Sequence, residues 1–234
     1  MNRSCFNERA ADRLGRSHNR LVAWAAISVL ALALQGCANP QLVQDGQTIS
    51  SLANPALVLR IAPEFRPLPP LTFPIEALTD VDRRVFVDAD GHGVVRRLVI
   101  LQFETVQATS AFKFVYLPKP PAAFGMQTYR FGAYVHDEEA EAAHSPLKEA
   151  GLTRAFLLAK GFKLPAVFRV ARLARVANPD GKSEVIMFYM EAADADYAIR
   201  PLPGADEDGD LDLPEDHARG MLARLKAAIS PVSG

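Results

Sequence analysis

The 234-residue chain is short of several things that would give its chemistry away. It has two cysteines, at positions 5 and 37, and one tryptophan. Two thiols rule out a framework of several disulfides and a zinc site of four cysteines. Long apolar runs are also scarce. The longest, residues 21–34 (LVAWAAISVLALAL), rises about 1.5 Å per residue as a helix and falls short of a hydrocarbon core about 30 Å thick. No G-x-S-x-G elbow surrounds Ser110, Ser145 or Ser183, and no phosphate loop or dinucleotide fingerprint occurs. Triads are defined by geometry rather than motif, so these absences lower the weight of a hydrolase without closing the question.

A basic stripe is missing as well. The formal net charge is -1. Five arginines and two acids fall in residues 1–36, which leaves 21 basic and 25 acidic residues after them. A mildly acidic body without a cationic, aromatic-rich face argues against a nucleic-acid partner, whose phosphates need neutralising.

What is present is ordinary for a folded protein: 49% hydrophobic and 23% charged residues. The N-terminus has a separate logic. An arginine-rich stretch precedes the apolar run, and small and proline-containing residues follow it. That order is the order of a secretory signal peptide. A buried core helix is the alternative for a run of this length.

The run ends in Leu34-Gln35-Gly36-Cys37. With the apolar run before it, this stretch resembles a bacterial lipobox, the processing site of lipoproteins. The resemblance implies diacylglycerol transfer to the Cys37 thiol, cleavage after Gly36 and acylation of the new amino terminus. Ala38, next after the cysteine, resembles the pattern sorted to the outer membrane of Gram-negative bacteria. Two or three acyl chains on one residue give stable attachment where one holds marginally. Cys5 then leaves with the signal peptide, and the mature domain has no cysteine nucleophile.

The expected organisation is a lipoprotein signal peptide over 1–36, a flexible, proline-rich tether over 37–70, and a single periplasmic domain over 71–234. "RPLPPLTFP" (66–74) reads as a stiff spacer, or as a ligand for a proline-recognising module. Within the domain, Asp90-Gly91 between two apolar runs predicts a hairpin over 83–106, whose second strand is apolar on both faces and therefore central. Further strands are expected over 111–117 and 126–136. A helix follows, with Ser145 as cap, Pro146 at its start, Gly161 past its end and an apolar stripe of Leu152, Ala155, Phe156 and Ala159. A second hairpin spans 164–192, and a last helix spans 214–229. The expected class is α+β: an antiparallel sheet of about six strands with two main helices packed on one face.

Three stretches concentrate ligand-type side chains. Asp88, Asp90 and His92 half-match a calcium loop, but its twelfth position is Val99, so a hairpin turn is the better reading. The acidic run 206–216 has no EF-hand spacing and reads as a solvated loop. His136, Glu138, Glu141 and His144 place two histidines eight apart, where the zincin arrangement needs four. No catalytic, cofactor-binding or metal residue is therefore assigned, and Cys37 is the one site residue, as a lipid attachment point. The leading expectation is a lipid-anchored, non-catalytic envelope protein with a structural, assembly or interaction role. Its partners are membrane lipid through Cys37 and an envelope protein. A small-ligand or lipid binder, with a cavity under Phe112, Phe114 and Phe188, is the alternative, and a hydrolase around His136 or His92 is the second.

Overall fold

The computed structural model describes residues 42–52, 55–116, 119–138, 149–193 and 211–232. All belong to the second of two units, which divide the chain between Cys37 and Ala38. The segment read as a signal peptide, the lipobox-like stretch with Cys37, Glu141, His144, Ser145 and Pro146 lie outside the described residues, as does the acidic run up to position 210.

The chain begins with β1 (Leu42–Asp45), β2 (Thr48–Ser51) and β3 (Leu57–Ile61). These form a four-stranded antiparallel sheet whose fourth member, β13 (Ile229–Pro231), comes from the far end of the chain. The tether expected over 37–70 is therefore corrected from position 42 onward. Leu42, Ile49, Leu59, Ile61, Phe65 and Leu68 are all buried. Alternation, with Leu59 and Ile61 inward and Val58 and Arg60 outward, is what a half-buried strand requires.

The second sheet is larger. Its long strands run in the order β9 (Gln127–Asp137), β10 (Val167–Val176), β11 (Ser183–Ala192), β7 (Val95–Val106) and β6 (Thr79–Ala89), all antiparallel. Two short strands, β4 (Arg66–Pro67) and β5 (Leu71–Ile75), share the free edge of β6. At the other edge β8 (Pro121–Phe124) and β12 (Leu211–Asp212) both pair with β9. Nine strands thus stand where the sequence suggested about six in all, because edge strands of two to five residues carry too little periodicity to read.

β7 is central, as its two apolar faces required. Leu98 and Ile100 point to one side, Val99, Leu101 and Phe103 to the other, and all are buried. The two faces feed two cores. The face carrying Phe86, Val99, Leu101, Leu173, Met187 and Tyr189 packs against the small sheet and against Met221, Leu225 and Ala228 of α2 (Glu215–Ala228). The face carrying Val85, Val87, Leu98, Ile100 and Phe168 packs against Leu157 of α1 (Glu149–Ala159) and Phe162. The helices lie on opposite faces, which corrects the one-face expectation. A sheet apolar on both sides needs a cover on both.

α1 ends where Gly161 predicts. Gly161 N–H donates to Leu158 O and Phe162 N–H to Leu157 O, with Gly161 at φ +83°, the paired bonds of a Schellman cap. Its buried side is rotated from the expected stripe: Gly151, Thr153 and Leu157 face inward, while Ala155 and Ala159 are exposed. Residues 111–116, expected as a strand, form no regular element.

Candidate functional site

The rotation of α1 has a polar cause. On the sheet face under α1, Arg83 of β6 is 4% exposed. One guanidinium nitrogen donates to the Glu149 carbonyl at 3.0 Å and to the Thr153 hydroxyl. The other reaches the Glu149 carboxylate at 2.7 Å and Gln102 Oε1. Gln102, paired with Arg83 across β6 and β7, donates from Nε2 to both Glu149 and Glu104. The Phe73 ring lies 5.2 Å from the same guanidinium. Both terminal nitrogens of Arg83 are thus hydrogen-bonded, while its buried Nε has no partner and the Glu149 side chain stays 38% exposed.

Glu104 continues the network along β7. It sits directly opposite Glu184 of β11. Burial pushes the Glu104 carboxyl up to about 7, helped by the charges of Glu149 and Glu184 and opposed by Gln102 and Arg83. Like charges facing each other across strands repel, and a proton on one removes the conflict. Burial also raises Glu184, against the Tyr116 hydroxyl that donates to it and Arg172 at 3.6 Å. Burial and the Glu184 charge raise the Tyr116 pKa in turn. A carboxyl that keeps its proton near neutrality can act as an acid or base, but Glu104 is 6% exposed and does not line the concavity found nearby.

That concavity opens beyond Tyr116. Arg130 lies 4.1 Å over the Tyr116 ring. Lys119, Arg130 and Arg175 line a space of about 200 Å³ together with Tyr116 and Tyr129, and no acidic residue lines it. The cause is the path of β9. Its ladder with β10 ends at Arg130 opposite Ala174, and its first residues pair only with β8. The strands splay apart there and leave the space.

A second feature lies on the small sheet. Val43, Ser50 and Val58 follow one another across β1, β2 and β3, and Val232, just past β13, donates its amide to Val58 O. The three valines and Leu52 are exposed, Leu52 by 73%.

The residues singled out from sequence fare unevenly. Asp90 Oδ1 accepts from the His92 and Val94 amides, so it shapes the hairpin turn. Asp88 pairs with Arg96 and Arg97. His136 and Glu138 do come together, at 3.6 Å. No group of three metal-type ligands occurs among the described residues. Phe112 and Phe114 meet edge to face, with Phe112 40% exposed. Sequence reading missed Arg83, Gln102, Glu104, Glu184 and Arg130. The visible signal was charge at interior strand positions, Arg83 beside Asp82 and Arg84 in β6 and Glu104 after Phe103 in β7. Among the described residues no helix is long and apolar enough to cross a membrane. Comparison with protein families, curated proteins and solved structures finds no match to this chain.

Proposed function

We propose that the protein is a lipid-anchored envelope domain, held at the membrane through acylated Cys37 and acting by interaction rather than catalysis. The observation that carries this reading is how soon folded structure follows the cysteine: β1 begins at Leu42, and its sheet is fixed in the core by Ile49, Leu59 and Ile61. Five residue steps span at most about 17 Å. Acyl chains on Cys37 would therefore keep the small sheet at the bilayer surface and leave no long tether. The exposed valines and Leu52 on that sheet are the apolar side chains a lipid or protein surface would cover.

The test is Cys37→Ala in a bacterial host. Loss of labelling by a radioactive fatty acid, with release from the membrane fraction, is the expected outcome. Labelling and fractionation that do not change would refute the anchor.

A further inference from the structure

The apolar side chains that the small sheet leaves exposed lie at one end of it, the end from which the chain leads back to Cys37. We propose that this end is a lipid-contact face, at which Val43, Leu52, Val58 and Val232 enter the headgroup layer of the bilayer that holds the acyl chains of Cys37. The inference rests on the reading of Cys37 as an acylated anchor and adds to it which surface of the domain meets lipid.

The strand register sets the arrangement. Leu42 pairs with Ser51 and Ser51 with Leu57, so the start of β1, the end of β2 and the start of β3 share one end of the sheet. Val43, Ser50 and Val58 form the outward row there, because their neighbours Leu42, Ile49 and Leu59 are buried. Leu52 follows β2 at this end, and Val232 follows β13, its amide donating to Val58 O. The corresponding row at the opposite end holds Asp45, Thr48, Arg60 and Ser230. A second element reaches the same place. The turn between β8 and β9 packs on β13, where a Cβ on Gly125 would lie 3.1 Å from the Pro231 ring, and the next residue, Met126, is fully exposed. Five of the nine exposed large apolar side chains among the described residues thus come from this end or the turn packed on it, a concentration unlike the single apolar residues scattered over an ordinary surface.

Chain length and charge make lipid the occupant. Cys37 and Leu42 are separated by at most about 17 Å of chain, and four strands spaced about 4.8 Å apart put β13 about 14 Å from β1. The whole end therefore stays close to a bilayer that holds Cys37, at an effective concentration that populates even a weak contact. Val43, Leu52, Val58 and Val232 bring no charge, so their insertion is driven by apolar burial and needs no anionic headgroup. The row of Asp45, Thr48 and Arg60 at the other end stays in water, so the sheet meets lipid end-on rather than flat.

Single-cysteine labelling of the acylated chain tests the face. Cys37 is blocked by its thioether in that chain and Cys5 is removed, so an introduced thiol takes the fluorophore alone. Leu52→Cys and Val58→Cys carry a nitrobenzoxadiazole dye at the proposed face. Leu158→Cys, exposed on α1 against the other face of the large sheet, is the control. Each is reconstituted into phosphatidylcholine vesicles with and without bromine on the acyl chains, and intact mass reports the acylation of each sample. Interfacial apolar faces sit about 5–10 Å into the headgroup and acyl boundary, so bromine should quench labels at 52 and 58 at least about twofold more than at 158. The difference should persist when phosphatidylglycerol replaces part of the phosphatidylcholine. Acylated chains quenched no more at 52 and 58 than at 158 would overturn the lipid face and leave the anchor standing. Quenching that requires phosphatidylglycerol, or labels shielded by a second copy or a partner protein instead of lipid, would overturn it too. A chain without acyl groups would overturn the anchor and this face with it.

Discussion

Glu104→Gln should stabilise the protein above neutral pH and change little below pH 4.5. The native carboxyl is held near 7, against an ordinary value of 4.5. The folded chain therefore binds this proton more tightly than the unfolded chain does. A raised carboxyl of this kind costs nothing while both states are protonated, below about 4.5. Stability then falls as pH rises between the two values, and the loss is complete above about 7. Each pH unit in that window is worth about 1.4 kcal/mol, so the full loss is of order 3 kcal/mol. Glutamine copies the protonated form. It can accept from Gln102 at Oε1 and donate to Thr79, the two groups that now meet Glu104. It also removes a charge from beside Glu149 and Glu184. Urea unfolding of parent and variant at pH 4.5 and pH 8 gives the difference. A gain in the variant of about 3 kcal/mol at pH 8 and near zero at pH 4.5 is the expected result. A difference that is flat with pH, or largest at low pH, would refute the reasoning about Glu104.

Other changes test other parts of the account. Arg83→Met should cost about 1–3 kcal/mol in urea unfolding, because it removes the donor that the buried Gln102 and Thr153 side chains accept from, while Glu149, 38% exposed, can turn to water. Its effect should be coupled to that of Glu149→Gln, so that the double variant loses less than the sum of the two single losses. Ile49→Ala should cost about 2–5 kcal/mol, since Ile49 is fully buried; a loose tether would make the change silent.

Legibility in the sequence followed the length of the element and the simplicity of its burial. The hairpins of β6–β7 and β10–β11 could be read because Asp90-Gly91 and the turn at 178–181 separate runs of ten or more residues with apolar faces. Asp45-Gly46 carries the same turn signal between β1 and β2, but the strands around it have four residues each, with serine, threonine and glutamine among them. Proline and small residues there made the segment look like a linker, while its inward positions, Leu42, Ile49, Leu59 and Ile61, were enough to make a sheet. β13 was hidden for a different reason. Ile229 continues the apolar stripe of α2, yet it is extended and pairs with Ile61, a partner 168 positions away in the chain.

The candidate site was the least legible part. Apolar periodicity placed the wrong face of α1 inward, because Thr153 and Glu149 are drawn to Arg83 rather than to a hydrophobic surface. Arg130 gave no sign in sequence at all. Its character comes from the point at which β9 leaves β10 and from a tyrosine fourteen residues earlier, neither of which a local pattern records.

The central claim of the proposal is that a modified Cys37 begins the mature protein, five residues ahead of β1. Intact-mass spectrometry of protein extracted from a bacterial membrane measures this directly. The account predicts a chain starting at Cys37 and carrying the added mass of a diacylglyceryl group, with or without an amide-linked acyl chain. A mature chain starting elsewhere, or a Cys37 found as an unmodified thiol, would contradict it.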